Sequence, residues 1–229
     1  MVITPAEGQA LWLSVKVALV AVTVALPFAV FVAYAFARWS FPFKSFLNVL
    51  VHIPLVVPPV VIGYLLLVTT TPTSKFGGWL SDLGLNPSFT WGAAAIASGV
   101  MAFPLMVRAV RQAFESQPIA LTEIAETLGA SRYRRFLTIN LPLAVPGILT
   151  ATVLGFGRAI GEFGATITFA ANIPGVTQTL PLALYTAAQS PGGEEAAFRL
   201  TLLCLIPAVI SLITSEWLTR RHYFRNEQR

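Results

Sequence analysis

The chain has 229 residues, 55% hydrophobic and only 11% charged, with a mean hydropathy of +0.72. A soluble domain carries about 25% charged residues, so this composition falls outside the globular range. The net charge of +5 does not indicate nucleic-acid binding, because the basic residues flank apolar blocks instead of lining one polar face, and a single cysteine, Cys204, leaves no internal disulfide and no cysteine metal cluster.

A membrane-spanning helix needs about 20 mostly apolar residues. Stretches 11–37, 46–69, 91–107, 143–165 and 198–218 qualify. The first lacks a basic leading segment, exceeds a signal core in length and runs into Arg38 without a small-residue cleavage site, so it is expected to be retained as a span. The second contains Pro54, Pro58, Pro59 and Gly63. Proline removes a helix hydrogen bond, and the freed carbonyl must find protein or water. Such interruptions fit either a protein-lined cavity or close packing of small residues. Residues 70–90 form a turn-rich loop with Pro72, Gly77, Gly78, Gly84 and Pro87.

The fourth span opens with Pro146 and Gly147, and Gly157 and Gly161 have the four-residue spacing of a packing face. Beyond it, residues 162–197 are partly apolar but punctuated by Pro174, Gly175, Pro191, Gly192 and Gly193. Their middle, 180–189, is too short to span and is expected to be a re-entrant or interfacial helix. There is no internal repeat, and residues 1–229 are expected to form one all-α membrane domain of five to six spanning helices.

Orientation follows from lysine and arginine, which are enriched in short cytoplasmic loops. Arg38 and Lys44 lie between spans one and two, Arg108, Arg111, Arg132, Arg134 and Arg135 between spans three and four, and Arg220, Arg221, Arg225 and Arg229 in the tail. This places the N-terminus outside, the C-terminus inside and the loop 108–140 in the cytoplasm.

Within that loop, Leu121, Ile124, Ala125 and Leu128 fall at helical spacing. Gly129 allows a change of direction, and Tyr133, Phe136 and Leu137 mark a second short helix. Two such helices need a cover for their apolar stripe: a partner protein surface, or the membrane with Arg132, Arg134 and Arg135 at the headgroups.

Glu123, Ala125, Gly129, Ile139, Leu141 and Pro142 reproduce the spaced signature of bacterial ABC importer permeases, with Ile124 in place of its first alanine. The segments HIPLVVPPVVIGY from His52, GEFGATITF from Gly161 and NIPGVTQTLP from Asn172 resemble the molybdate importer branch. The resemblance implies a type I importer permease whose loop 118–142 is the coupling element, with Glu123, Ala125, Glu126, Gly129, Ala130, Ile139, Leu141 and Pro142 seated on an ATP-binding subunit. It further implies a homodimer, two cytoplasmic ATPase subunits that use ATP and Mg, a periplasmic molybdate-binding protein, and a place in the bacterial inner membrane.

The chain has no phosphate-cradling GxxxxGK[ST] loop, so any ATP hydrolysis belongs to another polypeptide. HExxH and GxSxG patterns are also lacking, and His52 and His222 are isolated, so no enzyme activity, bound cofactor or metal is expected. Arg158 and Glu162 share a helix face inside the fourth span. They either face the pathway, where Arg158 attracts an anion, or pair internally to fix packing or snorkel to the interface. Thr166, Thr168 and Asn172 add donors suited to an oxyanion.

Overall fold

The computed structural model describes residues 3–227, with side chains to Leu218. The basic tail expected at Arg220, Arg221, Arg225 and Arg229, with His222, falls outside the described side chains. The described residues form helices and connecting turns, without strands.

Helix α1 (Pro5–Arg38) starts at a reciprocal cap: the Glu7 amide donates to Thr4 Oγ1 and the Thr4 amide to Glu7 Oε2, at 3.3 and 2.8 Å. An alanine stripe, Ala18, Ala21, Ala29 and Ala33, is buried to 4% exposure or less and packs against α5 (Trp91–Glu115). Side chains this small let two helices approach closely, the main source of packing energy where lipid supplies no hydrophobic drive. Helix α5 is itself the centre of the bundle, with Ala93, Ala94, Ala97, Ala102 and Met106 fully buried.

Between them lie α2 (Lys44–Val56), α3 (Pro59–Thr70) and the short α4 (Lys75–Asp82). The second expected span is not one straight helix, because α2 and α3 bend by 112° at Val57–Pro58. Pro58 sits in an extended conformation and Pro59 opens α3, so two consecutive residues lack the N–H needed to continue α2.

The pair nevertheless makes a net crossing. The Lys16 ammonium lies 3.7 Å from the Trp91 ring centre near the start of both long helices, while Arg38 Nη2 donates to the Phe114 carbonyl at 2.8 Å near their ends. Helices α1 and α5 are therefore parallel, and the chain must return between them.

The third expected span runs past Val107 to Glu115, because Arg111 on its last turns is paired, donating to Glu115 Oε1 at 2.7 Å and Asn48 Oδ1 at 3.1 Å. After α6 (Ile119–Thr127), a continuous helix runs from Arg132 to Ile160: α7 (Arg132–Arg135), a π turn (Phe136–Asn140) and α8 (Leu141–Ile160). The second loop helix is thus the base of the fourth span, not a separate element. That span ends at Ile160, short of 165, where Gly161 leaves helical geometry.

Helix α8 is held on two sides. A Cβ on Gly155 would lie 2.7 Å from Met106 Sδ of α5, and one on Gly157 would lie 2.9 Å from Ser211 Cβ of α11 (Glu194–Glu227). The packing pair is therefore not Gly157 with Gly161, whose added Cβ would meet only the Gly157 carbonyl at 3.8 Å.

Two short helices, α9 (Gly164–Phe169) and α10 (Leu180–Gln189), fill the end of the bundle near the N-terminus. There Arg199 Nε donates to Glu7 Oε1 at 3.0 Å and the Leu180 amide to Ser14 Oγ at 2.7 Å. This puts the start of α11 beside the start of α1, so α11 also runs parallel to it. The result is five net crossings.

Candidate coupling loop and membrane ion pair

The loop signature is largely the C-terminal cap of α6. Gly129 has φ +77°, in the left-handed region that favours glycine. Its amide donates to the Glu126 carbonyl and the Ala130 amide to the Ala125 carbonyl, both at 2.9 Å, the paired bonds of a Schellman cap. Four of the implied coupling residues, Ala125, Glu126, Gly129 and Ala130, thus build one turn.

Ser131 then caps α7, its hydroxyl accepting from the Arg134 amide at 3.3 Å. Glu126 pairs with the buried Arg135 at 2.5 Å, which fastens α6 to α7. The hydrogen bond from Arg135 holds the Glu126 carboxyl below its usual 4.5. The pair is fully formed at neutral pH, and its contribution disappears as the pH falls through that lowered value.

Among the signature residues on the continuing helix, Ile139 and Leu141 are half-buried and Pro142 is exposed. The π turn ends two residues before Pro142: the Leu141 amide donates to the Phe136 carbonyl, five residues back. The extra residue accommodates a proline ring that regular α geometry clashes with.

No side chain of α6 is buried. Leu121, Ile124 and Leu128 are 43%, 58% and 81% exposed, and Tyr133 of α7 is 73% exposed. Glu123, also exposed, contributes its carbonyl to Thr127 Oγ1 at 3.0 Å. The knob therefore offers an uncovered apolar surface on a well-tied frame.

The sequence did not single out the polar cluster beneath this knob. Gln117 Nε2 donates to the Asn140 carbonyl at 2.8 Å, and Asn140 Nδ2 donates to Gln117 Oε1 at 3.1 Å. Both residues are buried, and Arg38 reaches Gln117 from the end of α1. Only the location of Arg38 at a span end and of Asn140 inside the signature hinted at it.

At the far end of α8, Arg158 Nη1 lies 2.5 Å from Glu162 Oε2. The carboxylate is 1% exposed and the guanidinium 30%. Glu162 also accepts the Ala165 amide at 2.9 Å and so secures the start of α9. Thr166 is fully buried, and its hydroxyl has no partner among the described residues. Thr168 donates back to the Gly164 carbonyl at 3.0 Å, and Asn172 donates to Thr186 Oγ1 at 2.8 Å. Of the five expected pathway residues, direct polar contact therefore joins only Arg158 and Glu162.

The apolar spans carry a tied, uncovered helical knob at one end. Residues 25–222 match the family model of the binding-protein-dependent transport system inner membrane component, and the chain belongs to that family. It is a multi-pass inner-membrane transport subunit, not an enzyme.

The chain is 51% identical to the molybdenum transport system permease protein ModB of Escherichia coli K12 over 96% of each chain. It is 50% identical to the protein of that name from Haemophilus influenzae over 94% of each. The sulfate transport system permease protein CysW of E. coli is 36% identical over 86% of this chain and 69% of its own. Among solved structures, a bacterial ABC transporter that imports the acidic polysaccharide alginate has a similar fold, with a TM-score of 0.70 over 96% of this chain and 80% of that one at 17% identity. The MetNI methionine ABC transporter gives 0.68 over 93% and 94% at 16% identity.

Proposed function

We propose that this chain is the membrane permease of an ATP-driven molybdate importer, acting as a single transmembrane domain in a homodimer. Two cytoplasmic subunits hydrolyse ATP with Mg, and a periplasmic protein delivers the oxyanion. The observation that carries this reading is the gap between relatives: 51% identity to a molybdenum permease over nearly the whole chain, against 36% to a sulfate permease.

In this reading the loop end of the bundle is cytoplasmic, consistent with its basic residues, and the end holding Glu7 and Arg199 faces outward. The α6 knob, with Glu123, Ala125, Glu126, Gly129 and Ala130, sits in a cleft of the ATPase. Ile139, Leu141 and Pro142 carry its movement into α8 as rigid-body motion. Arg158 presents positive charge to the incoming dianion while Glu162 holds it in place. Thr166 supplies an uncommitted hydroxyl nearby, and Thr168 and Asn172 complete the polar outer end.

The test is a strain lacking the permease. Molybdoenzyme activity should vanish at trace molybdate and return when molybdate is abundant enough to enter by less selective oxyanion uptake, with sulfur-starved growth unaffected. Sulfate auxotrophy with normal molybdoenzyme activity would move the assignment to sulfate. Tungstate, a near-isostere of molybdate, should compete for uptake.

A further inference from the structure

Three side chains meet where the knob joins the spans. Arg38 ends α1 and donates through Nη2 to the Phe114 carbonyl at 2.8 Å and the Gln117 carbonyl at 3.3 Å, with Gln117 Oε1 at 3.5 Å. Gln117 follows α5 and bonds Asn140 in both directions. Asn140 closes the π turn, and its Nδ2 also lies 3.5 Å from Thr122 Oγ1 on α6. One cluster therefore ties α1, α5, α6 and the Arg132–Ile160 helix, the elements that must move together if the knob drives the spans.

The cluster is not saturated. Asn140 Oδ1 and Arg38 Nε are buried and lack partners among the described residues, one an acceptor and the other a donor. An unmet buried polar atom is costly, so any shift of these elements that brought either atom a partner would be favoured. The adjoining π turn is itself a weak point in the helix ladder. Aromatic packing brackets the cluster: Tyr34 meets Phe114 at 5.2 Å and Phe136 at 4.7 Å between ring centres.

We propose that Arg38, Gln117 and Asn140 are positioning residues that pass the displacement of α6 to α1, α5 and α8. This rests on the coupling role of the loop given above. A merely structural cluster would lower the amount of folded protein without altering how much substrate moves per ATP.

The experiment uses the full assembly of permease, ATPase and binding protein in proteoliposomes, and reads radiolabelled molybdate taken up per ATP hydrolysed. In Asn140→Leu and in Arg38→Lys this ratio should fall about tenfold, within the range of ordinary coupling energies, in vesicles that retain the ATPase subunit. The double variant Gln117→Asn with Asn140→Gln keeps both amides and should recover much of it.

An unchanged ratio in retained assemblies overturns the proposal, and so does loss of the ATPase by both single variants, which would make the cluster a folding element. Failure of the unaltered permease to retain any ATPase would sink the coupling reading itself and is visible before any variant is made.

Discussion

A buried carboxylate shows its role by what happens when its partner is exchanged. Glu162 is 1% exposed, so removing Arg158 strands a charge, at a cost approaching the lower end of about 3 to 5 kcal/mol because the guanidinium is part-exposed. Arg158→Gln alone therefore mixes lost folding with lost substrate attraction. The exchange Arg158→Glu with Glu162→Arg restores an ion pair with the charges moved, but its arginine cannot accept the Ala165 amide as Glu162 does. If Arg158 attracts the anion, transport assays should show a large loss of uptake from protein that still reaches the membrane. Full uptake by the exchanged protein would make the pair a packing device. The i,i+4 spacing made the pair legible in the sequence. The Ala165 amide on Glu162 was not legible, because it depends on Gly161 ending α8 and α9 restarting within three residues.

The same distinction recurs in whole elements. Apart from Thr122 and Glu126, which touch the buried Asn140 and Arg135, helix α6 and its cap can be altered without touching the core, since none of its side chains is buried. A Cβ on Gly129 meets nothing within 4 Å, so Gly129→Ala should cost only backbone strain of about 1 kcal/mol. Gly129→Asp adds a charge to the docking surface and should abolish both ATPase co-purification and uptake while the protein stays in the membrane. Ile124→Asp should act similarly, with a loss of about 2 kcal/mol or more in ATPase affinity if it is a central anchor. Normal recovery of the ATPase with either aspartate variant would remove the docking role.

Periodicity and glycine placement made this element readable. The bend between α2 and α3 was readable only in part: Pro58 and Pro59 announced an interruption, but its 112° angle comes from packing, with a Cβ on Gly63 only 2.5 Å from the Ala165 carbonyl. The reach of the third span to Glu115 was hidden because Asn48, which satisfies Arg111, is 63 residues away. Composition could not reveal that pairing.

For the whole molecule, parallel α1, α5 and α11 with antiparallel α8 put the start of α1 and the end of α11 at opposite ends of the bundle. With Cys204 replaced, single cysteines at Ser81 and Ser190 should react with an impermeant thiol reagent added to intact cells, and one at Ser131 should not. Labelling at Ser131 would invert the assigned orientation. The five crossings would stand, since they rest on the Lys16–Trp91, Arg38–Phe114 and Arg199–Glu7 contacts and not on charge counting.

The bond between Arg199 and Glu7 also has a consequence in time. Its partners are 192 residues apart. At synthesis rates of about 5 to 20 residues per second, Glu7 is made roughly 10 to 40 seconds before the arginine that answers it. Lys16 is likewise made before Trp91. Until the last helix is made, Glu7 therefore has the Thr4 amide of its own cap but not its ion pair. A chain stopped before Arg199 never forms that pair, so its first helix keeps the mark of an unfinished protein.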